Sequence, residues 1–185
     1  MTKNKCVVLN LLMAVFISGF VSCSEPEPPA FDKGKLIGTY VGECIVSSGL
    51  TSENLSFSAE FKQKDKQNLY LSIGNDATYQ SVGISALPIA SGFKDHGSYA
   101  RFDLEDIIDT FGSTQIPNFI KTIGPAWDIK NATLKLTADS KNPPRYTLAS
   151  KSLTFSYTGT IEITGVNTND YYRSSITYKF NLSKR

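Results

Sequence analysis

Between Ser152 and Thr164 the chain alternates without a slip. Leu153, Phe155, Tyr157, Ile161 and Ile163 take odd positions, and a Thr, Ser or Glu takes every even one. A period of two with one apolar face is the pattern of a half-buried strand, whereas a helix would scatter those side chains around its axis. Gly159 falls on the apolar parity and marks a bend in this strand. The same period governs 54–64, with Leu55, Phe57, Ala59 and Phe61 on one side, and 174–183, with Ile176, Tyr178, Phe180 and Leu182. It recurs more briefly at 69–73, 133–138 and 145–149. A first strand is expected over 35–47, with Gly38 and Gly42 as bends or close approaches, and less regular strands over 79–89 and 98–102. Polar or Pro-rich clusters at 64–68, 74–76, 141–144 and 167–170 separate them as turns.

Two stretches break the period. Leu104, Ile107, Ile108 and Phe111 fall at i, i+3, i+4 and i+7, which predicts a helix over 103–112 with Asp103 as N-cap and Gly112 at its end. Ile116, Phe119, Ile120 and Ile123 repeat the spacing, with Pro117 in the first turn and Gly124-Pro125 as a stop. The expected fold is therefore mainly β. Strands with one dry and one wet face pair antiparallel, here mostly in consecutive hairpin order, and close as a barrel or a β-sandwich with one or two short helices in mid-chain.

At the other end of the chain, Lys3 and Lys5 precede an apolar run, Cys6 to Phe20, that leads to Val21-Ser22-Cys23. A basic start, a short apolar core and a small residue before a cut form a secretory signal. The run is shorter than the roughly 20 residues that span a bilayer. With Cys23 directly after Ser22 it resembles a bacterial lipoprotein signal. That resemblance implies cleavage between Ser22 and Cys23, diacylation of the Cys23 sulfur, and stable membrane attachment through more than one acyl chain. An ordinary secretory signal is the alternative, which would leave Cys23 an incidental thiol. Residues 24–29 (SEPEPP) are acidic and proline-rich, an extended solvated spacer. They resemble the acidic tag of surface lipoproteins of Bacteroidota, which implies an outer-membrane location. The chain thus divides into a signal peptide (1–22), a tether (23–34) and one β-rich domain (35–185).

Removing residues 1–22 takes Lys3 and Lys5 and leaves 17 of the 19 basic residues against 17 acidic ones. A neutral body has no global field to steer nucleic acid. Of three cysteines, one leaves with the signal and one would carry lipid, so Cys44 has no partner for a disulfide. Stability must come from a hydrophobic core. One histidine and no Cys-x-x-Cys give no pattern for a metal site, and no cofactor is expected.

Candidates for chemistry each have a plainer reading. His96 follows Asp95, but sequence neighbours on a loop rarely face each other, and no Gly-x-Ser-x-Gly elbow is present. Cys44 in a strand reads as a small core residue, since a nucleophilic thiol needs a base or positive charge beside it. Asp103, Glu105, Asp106 and Asp109 on the expected helix suit the paired carboxylates of a glycosidase or a calcium loop. They equally suit a helix start, where acids offset the macrodipole. Tyr171, Tyr172 and Arg173 fit neither face of the last strand and form a candidate recognition surface, because aromatic and Arg side chains favour such surfaces.

Gly38-Thr39-Tyr40 at the opening of the first strand, a helical interruption of a meander and an aromatic C-terminal hairpin together resemble the lipocalin-like (calycin-like) lipoproteins of Bacteroidota over most of 35–183. The expected function is a membrane-anchored, non-catalytic binding or interaction module. Its partner would be a small hydrophobic, amphipathic or carbohydrate ligand, or another envelope protein. Two other readings stand beside it: an envelope hydrolase using the carboxylates of 103–109, or Cys44 with His96, and a structural or inhibitor-like envelope protein acting through its loops.

Overall fold

Among the described residues ten strands form where β-branched and aromatic residues alternate with polar ones, and they join in one antiparallel sheet. The computed structural model describes residues 27–49, 51–74 and 83–185. The expected signal, Ser22, Cys23, the tether up to residue 26 and the start of the strand expected from Tyr79 lie outside the described residues. In chain order the elements are β1 (Gly38–Ser48), β2 (Thr51–Gln63), β3 (Leu69–Ile73), β4 (Ile89–Asp95), β5 (Tyr99–Leu104) and β6 (Ile107–Gly112). A six-residue helix α1 (Asn118–Ile123) follows, then β7 (Ile129–Ala138), β8 (Arg145–Thr147), β9 (Ser152–Gly165) and β10 (Tyr171–Lys184).

The sheet closes on itself. From β10 it runs through β1, β2, β3, β4, β5 and β8 to β9, and β9 pairs again with β10 along almost its whole length, from Leu153↔Leu182 to Thr164↔Tyr171. The first strand and the last are neighbours, with Tyr40 opposite Lys184 and Ser48 opposite Ile176. The order is not a simple meander. The far edge of β9 is shared: residues 152–154 hold β8, and residues 157–165 hold β7, which carries β6 beyond it. Gly159 sits where that sharing is tightest. A β-carbon there would fall on the Lys135 carbonyl oxygen and come within 2.9 Å of the Leu136 Cα, so only glycine allows β7 so close.

The helix expected over 103–112 is not formed. Those residues are the end of β5, a two-residue corner at Glu105-Asp106, and β6. Each strand keeps period two, but the corner shifts parity, so Leu104 and Ile107 both face inward three positions apart, as helical neighbours would. Ile108, which a helix would have buried, is 71% exposed. The inward position is Asp109, not Ile108. The second helix does form, with Pro117 at its N-cap position, the Gly124 N–H donating to the Ile120 carbonyl, and Phe119 and Ile120 buried. Of the strand expected over 79–89, the described residues 83–88 are not strand, and β4 begins at Ile89, just after Pro88.

Two clusters of rings lie in the interior. Phe57, Phe155, Tyr178 and Phe180 pack at centroid distances of 4.3–6.1 Å, and Tyr40, Phe61, Phe102 and Tyr146 at 5.8–6.3 Å. A ring of eight strands has an interior just wide enough for such side chains. The seam between β3 and β4 is short, two residue pairs, so the outer half of β4, held by β5 on one side, has no strand neighbour among the described residues on the other. Residues 27–31 of the expected tether lie along that edge. The Asp95 N–H donates to the Pro29 carbonyl at 2.7 Å, Ala30 bridges to Lys94, Glu27 pairs with Lys94 at 2.8 Å, and Phe31 is buried. Covering an open edge in this way removes a template for pairing between chains.

Candidate functional site

One end of the ring is crossed by residues 113–123, and a pocket of about 380 Å3 lies between them and β2. Its floor is apolar, from Leu55 and Phe119, both nearly fully buried. Its rim is polar, from Glu53, Gln115, Asn118 and Thr122. A concave apolar floor with a few polar groups is the usual form of a small-ligand site.

Glu53 is the unusual member. It stands on the same parity as Leu55, Phe57 and Phe61, so it faces inward at the end of β2. The row it begins runs across the sheet through Val46 and Tyr178 to Tyr157. Glu53 Oε2 is buried with no hydrogen-bond partner. An unsatisfied buried oxygen costs about 1–3 kcal/mol, more when charged. Such a group in a pocket wall calls for a donor from outside the chain. Behind Phe119, at 6.0 Å and edge to face, lies Tyr178, whose hydroxyl is also buried and unpartnered. Burial above all, then Cys44 and Asp109 nearby, hold the Tyr178 phenol well above its ordinary range.

The residues singled out in the sequence do not converge on this pocket. His96 sits in the β4–β5 turn and stacks on Tyr99 at 4.9 Å, while Asp95 Oδ1 accepts the Gly97 N–H, so no Asp–His pair forms. Cys44 is fully buried, and burial pushes its thiol far up, away from the thiolate a nucleophile needs. The four acids of 103–109 are spread over a strand, a corner and an edge. Asp109 accepts from Ser85 N and Oγ, both at 2.8 Å, and from Ala86 N at 3.1 Å. Asp106 accepts from Ala138 N, and Glu105 from Ile89 N. Asp103 lies beside Gly92, whose φ of +62° and missing β-carbon leave room for its carboxylate. Glu105, Asp106 and Asp109 tie backbone segments together, and the four do not gather as an acid–base pair.

Tyr171 is 59% exposed, Tyr172 is half-buried against the core, and Arg173 is drawn to Glu162 at 3.6 Å, a carboxylate that Lys135 also holds at 3.3 Å. Among the described residues no group of three or more His, Cys, Asp and Glu is placed to hold a metal ion. Glu53 was within reach of sequence reasoning: it continues the odd parity of β2 by one position beyond Leu55. Gln115, Asn118 and Phe119 carried no such signal, since their place at the mouth depends on where the 113–123 crossing lands.

Comparison with family models, with curated proteins and with solved structures finds no match to this chain.

Proposed function

We propose that this chain is an acylated envelope protein whose sheet-built body is a non-catalytic binding module, taking a small amphipathic or carbohydrate ligand at the mouth pocket. The observation that carries it is Glu53, an inward-facing carboxylate with an unpaired buried oxygen above an apolar floor. A ligand with hydroxyl or amine donors would satisfy that oxygen, and its apolar face would lie on Leu55 and Phe119. The anchor rests on the sequence: a lipoprotein-like signal ending at Ser22-Cys23 and an acidic proline-rich spacer, which support an outer-membrane location. Kinship with the lipocalin-like lipoproteins belongs to the same proposal. Against the hydrolase reading stands the use of Glu105, Asp106 and Asp109 as backbone acceptors.

Both halves are open to test. Expressed in a bacterial host with an alkyne palmitate, the full chain takes up label and Cys23→Ala does not; an unlabelled wild type defeats the anchor. For the pocket, Glu53→Leu removes the unpaired carboxylate. Its Tm rises by about 2–4 °C per kcal/mol regained, while saturation-transfer contact to methyl glucoside, a probe with hydroxyl donors and an apolar C–H face, is lost. A variant that melts lower than wild type and contacts the glucoside as well as wild type refutes the site.

A further inference from the structure

A second concavity, of about 430 Å3, lies on the outer wall of the sheet, away from Glu53 and the helical crossing. It is built by strands that meet only in space. Arg101 of β5 stands directly opposite Arg145 of β8, Arg145 stands opposite Thr154 of β9, and Lys179 of β10 stands opposite Ser156 of β9. Lys141 enters from the β7–β8 turn. Like charges directly opposite one another across two strands repel and destabilise the pair. Among the described residues no ion pair relieves this repulsion: those formed by lysine and arginine involve Lys62, Lys94, Lys135 and Arg173, and not Arg101, Arg145, Lys141 or Lys179.

The one acid in the cleft is already spent. Asp139 accepts from the backbone N–H groups of Lys141 and Asn142, from the Asn142 amide and from the Ser156 hydroxyl. The Asn142 contact, with backbone donors behind it, holds its carboxyl below the ordinary range. Four cations against one carboxylate leave a local excess of three positive charges, more than the net +2 of the whole chain.

The two guanidinium groups are also held in place. The Arg145 guanidinium carbon sits 3.9 Å from the Tyr99 ring centroid, and that of Arg101 lies 5.5 Å from the same centroid. Tyr99 is itself stacked on His96 within 8° of parallel. Planar groups fixed on an aromatic ring lose less freedom when they bind, and their fork of N–H donors matches an oxyanion.

We propose that this outer-wall cleft is a binding site for a phosphate or sulfate group, with Arg101 and Arg145 as the paired donors, Lys141 and Lys179 as flanking charges, and the Thr154 hydroxyl as a further donor. The oxyanion relieves the Arg101–Arg145 repulsion and is the counter-charge that no ion pair among the described residues supplies. It is a separate site from the mouth pocket, so either can fail without the other.

The test is titration calorimetry on the full chain in polyoxyethylene micelles, near neutral pH and at low ionic strength, where screening is weak. The probes are sodium sulfate, sodium phosphate and glucose 6-phosphate, with chloride as the reference anion. Saturable binding of the oxyanions above chloride is expected. Arg145→Gln and Arg101→Gln each weaken it about tenfold or more, as loss of a charge-assisted contact implies. Arg145→Lys, which keeps the charge but not the fork, weakens it nearly as much. Lys66→Gln removes one charge from the exposed β2–β3 turn and leaves binding unchanged. Tighter binding of the sugar phosphate than of free phosphate identifies an ester as the source, and equal binding identifies the free ion. Two outcomes overturn the proposal: no saturable binding up to millimolar anion, or a loss with Lys66→Gln equal to that with Arg145→Gln, which would reduce the effect to general charge attraction. Thermal melts of each variant confirm that it is folded, and Lys179→Gln replaces any arginine variant that is not.

Discussion

Three tyrosines buried in the same body offer a test in which the sign of the effect, not only its size, is fixed by the structure. Tyr40 donates its hydroxyl to the Leu36 carbonyl at 2.8 Å, and Tyr157 donates to the Glu105 carbonyl at 3.0 Å. Tyr178 has a hydroxyl with no partner. All three residues are fully buried by side-chain exposure. Replacing each by Phe removes one oxygen and little volume, so packing is nearly constant across the series. At Tyr40 and Tyr157 the change deletes a hydrogen bond worth about 1 kcal/mol net and strands part of a carbonyl's capacity, so stability falls by about that much or somewhat more. At Tyr178 nothing is deleted but the desolvation of an unpaired hydroxyl, which costs about 1–3 kcal/mol in protein interiors. Tyr178→Phe is therefore stabilising. In a chain of this size 1 kcal/mol moves Tm by about 2–4 °C. Urea and thermal unfolding by circular dichroism should place Tyr178→Phe above wild type, with Tyr40→Phe and Tyr157→Phe below it and the urea slopes unchanged. If Tyr178→Phe lost as much as the other two, the hydroxyl would have a partner, and the argument from unpaired atoms that supports Glu53 would fall with it.

Two more predictions follow from the same packing. Gly159→Ala forces a methyl onto the backbone of β7, which cannot swing aside as a side-chain tip can; a loss of about 3 kcal/mol is expected, the upper end for overpacking, read as a fall in Tm of about 6–12 °C. Burial raises the phenols of Tyr40, Tyr157 and Tyr178, so the folded chain holds their protons after the unfolded chain has released them. Stability is then full below about pH 10 and declines as pH rises beyond it; alkaline urea titrations should show that decline reduced in each Tyr→Phe variant, and an unchanged slope would contradict the assignment.

Much of the fold was legible because a strand writes its burial locally. Leu153 to Ile163 and Ile176 to Leu182 face inward as their alternation demands. What the chain does not write locally is which strands meet. Nothing in 40–48 announces that 176–184 will lie beside it, or that β8 and β7 will divide one edge of β9. The 103–112 stretch misleads for a physical reason: a two-residue corner between short strands imitates the i, i+3, i+4 spacing of a helix, and only the exposure of Ile108 and burial of Asp109 tell them apart. The two candidate sites differ in the same way. Glu53 betrays itself by parity, whereas Arg101, Arg145 and Lys179 are unremarkable until three distant segments are laid side by side.

The pairing of β1 with β10 also sets a condition on assembly. Every strand between them can be made, and even hairpin with its neighbour, while the ring stays open and its aromatic rings stay wet. Only when the segment around Tyr178 and Phe180 arrives do both flanks gain their missing neighbour at once. A copy that stops short of that segment is left with two raw borders, at β1 and β9, and is a ready target for proteolysis. The last strand thus acts as a proofreader of completeness.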